Sequence, residues 1–533
     1  MENIKKLNGW LWERHHRTIS LLTMKDMRNA IPENNTSTPG HAEKQTPPPF
    51  KTYNKKQLIG LFLGPILFFI VMFGLPLEGL SNDGRGVFAT ITLVATWWIL
   101  EVMPLGITSL LPIVLLPLLS NVTGKEAASS YGDPLNFLFL GGFAIALALE
   151  RWRLHERIAI TVIGLIGTSM SGLVIGFMLA TGFISMWVSN TATALLMIPI
   201  GTAIAAKVVQ LMKEENVYSY EEEVKFTKSI IFAIGFGATI GGSATLIGTP
   251  SNLILAGLTK EIFEIDISFA KWFLFAFPMI VILMIIAAIY LTKFAYPMKT
   301  KKLERGHIFV RDTKAELGKM SYEEKMVFLI FSLTAFFWLT RTFIWVKYVP
   351  SMTDTTIALV GAVILYMIPT KRGDNGRLLD GSSIKKMPWD VLLLVGGGLA
   401  IATGFNKTDL ATWAGDQLLA LEGTSYFIIL AVTTLIGILM TQVTPNTATA
   451  TILIPIAATL AIAISVDPLP IMAATALGTG FAYMMPISTP SNAIIFATGK
   501  ITFNDMLFKG AWLTIFTFIL IIGFVYLWFP IIF

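Results

Sequence analysis

Two stretches that lie 256 residues apart decide the fold of this chain. Residues 185–200 read SMWVSNTATALLMIPI, and residues 441–456 read TQVTPNTATATILIPI. Each stretch places an Asn-Thr pair in the middle of a long apolar segment, at about 172–207 in the first case and about 424–463 in the second. Polar residues that interrupt an apolar segment in this way predict a helical hairpin, with the polar residues at its tip.

Other motifs recur with nearly the same spacing. GGFAIA at 141–146 matches GGLAIA at 397–402, again 256 residues apart, and GTPSN at 248–252 matches STPSN at 488–492, 240 residues apart. A register that holds over several separate motifs indicates an internal repeat. The chain therefore contains four polar breaks in apolar segments, arranged as two matched pairs.

The composition places most of the chain in lipid. Hydrophobic residues make up 54% of its 533 residues and charged residues 14%, against about 25% charged residues in soluble proteins. A soluble protein with so few charges would expose large apolar patches and aggregate. A disordered, fibrous or nucleic-acid-binding protein is excluded as a description of the whole chain. We expect an all-α polytopic membrane protein.

The basic residues predict the orientation of this protein in the membrane. Its net charge is +6, and Lys and Arg collect in cytoplasmic loops and ends. Residues 1–57 are polar and basic, without sustained periodicity, and are predicted to form a mostly disordered cytoplasmic tail. If the two hairpins turn back without crossing, every basic loop falls on the cytoplasmic side, and the C-terminus is extracellular.

The apolar segments predict two membrane halves. About eleven crossing helices are expected, near 58–75, 86–104, 105–120, 134–149, 229–258, 271–293, 324–346, 353–370, 388–405, 470–498 and 509–532. A basic cytoplasmic linker, 294–323, separates the first half, 58–293, from the second, 324–533. The inner hairpin belongs to the first half and the outer hairpin to the second. Because the hairpins enter from opposite sides, the repeats are inverted, as in secondary transporters with one central site.

The four breaks are the candidate functional site. A broken helix exposes N–H groups where one half-helix starts and C=O groups where the other ends. The N–H groups attract carboxylates, and the C=O groups coordinate small cations. No phosphate-binding motif G-x-x-x-x-G-K-[ST] occurs, cysteine is absent and the five histidines are scattered. An ATP-driven pump, a hydrolase and a resident metal or organic cofactor are therefore not expected.

At these residues the sequence resembles the divalent anion/sodium symporter family, and within it the bacterial sodium-dependent dicarboxylate transporters. The resemblance covers about residues 55–533 and rests on the paired tips, the GTPSN and STPSN breaks and the run PSNAII at 490–495. It implies a homodimer that works by an elevator motion. It also implies symport of sodium with C4-dicarboxylates such as succinate, malate and fumarate.

The resemblance also implies roles for individual residues. Substrate contacts are expected from Ser189, Asn190, Thr191, Thr249, Pro250, Asn446, Thr447, Thr489 and Pro490. One sodium site is expected at Ser185, Ser189, Asn190 and Gly248, and the other at Thr441, Asn446 and Ser488. The chain departs from the family pattern at Pro445, where Ser is usual, and at Gln442, where an acidic residue is common. Both departures lie beside the second sodium site, so the sodium stoichiometry stays open.

Other functions remain open at this point. The same substrate chemistry would suit a dicarboxylate exchanger that needs no sodium. An anion channel with the same repeats is a further alternative, and a membrane enzyme is disfavoured by the lack of a catalytic group in the breaks. The expected partners are a small dicarboxylate, sodium, the lipid bilayer and a second copy of the chain, with no nucleic acid.

Overall fold

The computed structural model describes residues 53–167, 169–216, 218–298, 315, 317–371, 376–418 and 423–533. Across these residues the secondary structure is helical, apart from one isolated bridge between Pro369 and Arg377. The all-helical fold class is confirmed. Residues 1–52 of the predicted tail and most of the predicted linker lie outside the described residues.

The first half of the chain contains twelve α-helices within the described residues. They are α1 (Lys55–Phe69), α2 (Asn82–Leu100), α3 (Leu105–Thr108), α4 (Leu111–Leu119), α5 (Gly124–Ser129), α6 (Pro134–Arg151), α7 (Leu154–Ile166), α8 (Met170–Ser185), α9 (Asn190–Glu214), α10 (Tyr220–Gly242), α11 (Pro250–Phe263) and α12 (Phe269–Ile289). Short π-helical turns, Ile70–Gly74 and Tyr290–Ala295, extend α1 and α12.

The second half contributes ten α-helices to the described part of the chain. They are α13 (Tyr322–Thr340), α14 (Asp354–Met367), α15 (Trp389–Lys407), α16 (Leu410–Leu418), α17 (Tyr426–Thr441), α18 (Asn446–Ala463), α19 (Pro468–Gly480), α20 (Pro490–Ala497), α21 (Phe503–Leu527) and α22 (Phe529–Ile532). Since α1 begins at Lys55, the predicted boundary of the tail at residue 57 is slightly too late.

Each of the four predicted breaks falls in a connection between two helices. The tips are residues 186–189, between α8 and α9, and residues 442–445, between α17 and α18. The other two breaks divide α10 from α11 and α19 from α20. The sequence repeat is therefore matched by a repeated order of elements: two hairpin helices, then two halves of a broken helix.

Three short helices were missed by the sequence analysis, α5, α7 and α16. None forms an apolar segment of spanning length, since they have 6, 13 and 9 residues. Helices α7 and α16 begin at Leu154 and Leu410, which are 256 residues apart and so belong to the same repeat. Each precedes the hairpin of its own half along the chain.

Helix lengths differ between the two helices of each hairpin. Within the described residues, eight helices are long and apolar enough to cross a membrane, and the second hairpin helices, α9 and α18, are among them. The first hairpin helices, α8 and α17, are shorter, with 16 residues each. At 1.5 Å per residue each is about 24 Å long, less than the hydrocarbon thickness of about 30 Å. The number of crossings stays a prediction.

The hairpins and the broken helices form one packed group. In each half the first hairpin helix packs along the first part of the broken helix, α8 on α10 and α17 on α19. Glycines allow this close approach: a Cβ on Gly241 would overlap the carbonyl oxygen of Gly182, and one on Gly478 would lie 2.9 Å from that of Thr434. Small residues at helix contacts have this role in membrane proteins.

Helices of one half also pack on helices of the other half. The second hairpin helix of each half packs on the second part of the broken helix of the other half, α9 on α20 and α18 on α11. These four helices begin at or just after the four breaks. The two breaks also meet, since a Cβ on Gly480 would lie 3.3 Å from Ser243 Oγ.

Candidate functional site

At the first tip, the Ser185 hydroxyl contacts two acceptor oxygens. Ser185 Oγ lies 2.7 Å from the Asn190 Oδ1 atom and 2.7 Å from the carbonyl oxygen of Ala238. A serine hydroxyl carries a single proton, so it donates to only one of these two acceptors. The other oxygen pair is in contact without a proton between the atoms. A cation bound among the three oxygens would relieve this repulsion.

The second tip repeats the arrangement. Thr441 Oγ1 lies 2.6 Å from Asn446 Oδ1 and 2.8 Å from the carbonyl oxygen of Thr479. Asn446 Nδ2 donates to the carbonyl of Gly480 at 3.2 Å, which leaves Oδ1 facing Thr441. Again one hydroxyl proton serves two acceptors. Both tips therefore carry a cluster of a hydroxyl, an amide oxygen and a backbone carbonyl.

Two glycines extend the first cluster. A Cβ on Gly248 would overlap the carbonyl oxygen of Gly242 and would lie 2.9 Å from that of Ser185. A Cβ on Gly242 would overlap Asn190 Oδ1. Only glycine leaves space for these oxygens to approach the backbone so closely. The structure thus brings Ser185, Asn190 and Gly248 together, as the resemblance implies, and adds Gly242 and Ala238.

Ser189 and Ser488 form hydrogen bonds with residues close to them in the chain. Ser189 caps α9, because its Oγ accepts a hydrogen bond from the Ala192 amide at 3.3 Å. Ser488 Oγ donates to the Met485 carbonyl at 2.6 Å and accepts from Asn492 Nδ2 at 3.0 Å. No hydrogen bond among the described residues joins Ser488 to Thr441 or Asn446. The second oxygen cluster is completed by backbone carbonyls instead.

The predicted substrate residues lie at four helix N-termini. Asn190 with Thr191 and Asn446 with Thr447 open α9 and α18, and Thr249 with Pro250 and Thr489 with Pro490 open α11 and α20. Within the described residues, no hydrogen-bond partner is seen for the hydroxyls of Thr191, Thr249 and Thr447. Helix N-termini with free hydroxyls are suited to bind carboxylate groups.

The site contains no side-chain charge. Residues 185–193, 241–252, 441–449 and 480–492 include no Asp, Glu, His, Lys or Arg, and no cluster of three such metal-binding residues occurs in the part of the chain that is described. A helix end carries a partial charge of about half a unit. The four helix N-termini therefore offer an anion partial positive charge without a full cationic side chain.

The broken helices also hold buried polar atoms without partners. Asn252 Nδ2 donates to the Thr245 carbonyl at 2.8 Å and Asn492 Nδ2 donates to the Met485 carbonyl at 3.1 Å, at matching positions of the repeat. Among the residues that the structure describes, the Oδ1 atoms of both asparagines and the Oγ atom of Ser243 have no hydrogen-bond partner. Such atoms cost about 1–3 kcal/mol each when left unpaired. They are available to a ligand or to ordered water.

Sequence reasoning missed the residues that act through their backbone. Ala238, Thr479 and Gly480 supply carbonyl oxygens, and a carbonyl leaves no mark on the side-chain pattern. Gly242 could have been found, since a Gly-Gly pair ends α10 just before the break.

The chain is similar to several known proteins. A family model described as the sodium:sulfate symporter transmembrane region matches residues 55–533. The sodium-dependent dicarboxylate transporter SdcS of Staphylococcus saprophyticus is 43% identical over 484 residues, which cover 90% of this chain and 93% of that protein. SdcS of Staphylococcus aureus is 45% identical over 485 residues, with the same coverage.

Two solved structures share the fold at low sequence identity. The YdaH transporter of Alcanivorax borkumensis superposes with a TM-score of 0.51 and 12% identity, over 85% of this chain and 99% of its own. Neisseria gonorrhoeae MtrF, of a class of antimetabolite efflux pumps, gives a TM-score of 0.51 and 12% identity, over 85% and 96%. At this identity the likeness concerns the fold alone.

Proposed function

This chain belongs to the divalent anion/sodium symporter family, whose sodium:sulfate symporter region its residues 55–533 match, and we propose that it carries small dicarboxylates across a membrane together with sodium ions. The resemblance expected from the sequence is confirmed. The chain is a multi-pass membrane transporter and not an enzyme. The names of the SdcS relatives support dicarboxylate as the anion and sodium as the coupling ion.

The observation that carries the proposal is the matched pair of oxygen clusters at the tips. In each, a hydroxyl contacts two acceptor oxygens with only one proton to share, as at Ser185 and Thr441. Unwound backbone carbonyls and helix C-termini bind sodium in secondary transporters. Two such clusters therefore favour sodium coupling over exchange without sodium.

The charge of the substrate supports the same conclusion. Carboxyl groups ionise with pKa values near 4, so a dicarboxylate carries about two negative charges at neutral pH. No cationic side chain lies in the tips or breaks. Moving an uncompensated charge through the membrane potential costs about 2.3 kcal/mol per 100 mV. Bound sodium ions would supply the missing positive charge.

We propose succinate, malate and fumarate as substrates, with their two carboxylates held by the two tips. The Asn-Thr pairs, Asn190 with Thr191 and Asn446 with Thr447, each offer amide and hydroxyl groups at a helix N-terminus. A C4 chain separates two carboxylates, so it suits a site with two such tips. The threonines at the N-termini of α11 and α20 would complete the site.

We further propose that the repeats are inverted and that the group of hairpins and broken helices moves as an elevator. The two breaks differ in exposure, which supports a site open on one side. Ile247 is 6% exposed, whereas Ile487, at the matching position of the second break, is 71% exposed. In the predicted topology α20 leads toward the cytoplasm, so this arrangement fits an inward-open state.

The predicted topology places the N-terminus in the cytoplasm and the C-terminus outside, and the family resemblance implies a homodimer. Both remain part of the proposal, as does transport without a resident cofactor. Accessibility of a single cysteine introduced at either end of the cysteine-free chain would test the orientation. Cross-linking in native membranes would test the dimer.

The experiment that tests the proposal is succinate uptake into proteoliposomes under three conditions, with sodium, potassium or choline outside. Symport predicts uptake in sodium alone. Equal uptake in all three media, with stimulation by internal succinate, would favour exchange. Saturable counterflow supports a carrier, and a linear, non-saturating flux would favour a channel.

A further inference from the structure

We propose that Gln442 and Thr245 are positioning residues, each of which fastens one hairpin tip to the broken helix of its own half and so sets the affinity for the coupling cation. The inference rests on the proposed function. It concerns two side chains that are not themselves members of the oxygen clusters. Both are buried: Thr245 is fully buried and Gln442 is 4% exposed.

Gln442 makes four hydrogen bonds across the second tip. Its Nε2 donates to the Ile438 carbonyl at 2.9 Å and to the Phe481 carbonyl at 3.2 Å. Its Oε1 accepts from the amides of Tyr483 and Met484 at 3.2 and 2.9 Å. A glutamine amide has two donor hydrogens and two acceptor lone pairs, so the side chain is fully used and has no oxygen left for a cation.

One of these bonds takes the place of a helical backbone bond. At the end of α17 the Gln442 backbone amide donates to the Leu439 carbonyl, and the Ile438 carbonyl accepts from the Gln442 side chain instead. Phe481, Tyr483 and Met484 lie in the connection between α19 and α20. Gln442 therefore satisfies both the frayed end of a hairpin helix and three groups of the break.

At the first tip the bonding side chain, Thr245, belongs to the break and not to the tip. Its Oγ1 donates to the Met186 carbonyl at 2.6 Å and accepts from the Gly248 amide at 3.1 Å. Here the side chain belongs to the break and the carbonyl to the tip. It bonds the amide of Gly248, whose backbone borders the first oxygen cluster.

The two fastenings do not occupy matching positions of the repeat. Gln442 of the second half corresponds to Met186 of the first half, 256 residues earlier. Thr245 of the first half corresponds to Met485 of the second half, 240 residues later. Besides the cluster contacts of Ser185, Thr441 and Asn446, each half thus has one further polar fastening, on the tip in one case and on the break in the other. A hydrogen bond between tip and break is therefore present in both halves although the side chain that makes it differs, which indicates that both halves need this bond.

The consequence for cation binding follows from where the ligands lie. In the second cluster, Thr441 and Asn446 come from the tip, whereas the carbonyls of Thr479 and Gly480 come from α19. A cation holds these groups at fixed distances, and a loosened tip must be re-ordered before it binds. Loss of a fastening should therefore weaken cation affinity and leave the maximal rate at saturating sodium largely intact.

The test compares Gln442→Met and Thr245→Val with matched controls in proteoliposomes. Gln417→Met replaces an exposed glutamine, and Thr434→Val replaces a buried threonine whose hydroxyl donates to the Leu430 carbonyl of its own helix. We expect half-saturating sodium to rise about tenfold or more in Gln442→Met and about threefold to tenfold in Thr245→Val. The controls should stay within twofold of the wild type.

Two further variants separate positioning from general damage. Thr245→Ser keeps the hydroxyl and should restore sodium affinity. Gln442→Asn keeps the amide but shortens the side chain by one methylene, so it cannot make all four bonds and should raise half-saturating sodium without adding a charge, even where Gln442→Met does not fold. Unchanged sodium dependence in folded Gln442→Asn and Thr245→Val protein would overturn the inference.

A binding readout keeps this result separate from the proposed function. Sodium that binds the folded protein raises its melting temperature, whether or not transport is coupled to sodium. A wild-type protein that is stabilised by sodium but transports without it would refute symport alone. If the stabilisation is also the same in Gln442→Asn and Thr245→Val, the positioning role is wrong.

Discussion

Replacing Gly248 by alanine tests the geometry of the first oxygen cluster. The added Cβ would overlap the Gly242 carbonyl oxygen and would lie 2.9 Å from the Ser185 carbonyl oxygen. Both contacts are with backbone, which has few ways to yield. Ordinary contact begins at 3.4 Å, so the Ser185 carbonyl must retreat by 0.5 Å and the Gly242 carbonyl by more.

The size of the effect follows from the loss of one ligand. A bond from a neutral group to a charged one contributes about 1.5–3 kcal/mol, and a loss of that size lowers affinity about 10–150-fold. We therefore expect Gly248→Ala to raise half-saturating sodium by at least about tenfold. Overpacking also costs about 1–3 kcal/mol of stability, so the melting temperature must be followed in parallel.

A glycine away from both clusters makes the assay specific. Gly523 lies in α21, where none of the described atoms comes within 4 Å of an added Cβ. Gly523→Ala should leave sodium dependence unchanged. A folded Gly248→Ala protein whose half-saturating sodium stays within twofold of the wild type would refute the assigned geometry.

Four further predictions concern the tips, the N-terminal tail and the ionisation of the substrate. Asn190→Ala and Asn446→Ala should each lower succinate uptake about 10–150-fold at low substrate with normal expression, and wild-type uptake in either would remove that residue from the site. Pro445→Ser should add a helix cap worth about 1 kcal/mol and lower half-saturating sodium up to about fivefold, whereas a rise would show that the proline is favourable. Deletion of residues 1–50, which lie outside the described residues, should preserve transport, and its loss in correctly inserted protein would contradict the predicted tail. Because the tips and breaks hold no Asp, Glu or His, the pH dependence of uptake should follow the ionisation of each dicarboxylate; an identical profile for two substrates of different pKa would indicate a protein group.

The sequence predicted the elements that carry a polar side-chain signal. The Asn-Thr pairs at Asn190 and Asn446 marked the tips, and GTPSN and STPSN marked the broken helices, because a polar run in an apolar segment needs a structural reason. The repeat in register placed these elements in pairs. The paired hydroxyls of Ser185 and Thr441 then fell beside the paired asparagines, five residues away along the chain.

What the sequence left out depends on backbone and on contacts between distant elements. The carbonyls of Ala238 and Thr479 join the clusters through chain geometry that no residue type specifies. Arg341, just after α13, forms a buried ion pair with Asp354 at the start of α14, with Nε 2.7 Å from Oδ1. Such a pair between α13 and α14 is invisible until the helices are packed.

The most direct test of the central claim is the reciprocal flux. If sodium and dicarboxylate bind at the same pair of tips and cross together, a succinate gradient alone must move sodium. Proteoliposomes with equal sodium on both sides and succinate outside should take up labelled sodium in step with succinate, with the membrane potential clamped. Sodium uptake no greater than in protein-free liposomes, while succinate enters, would contradict the account.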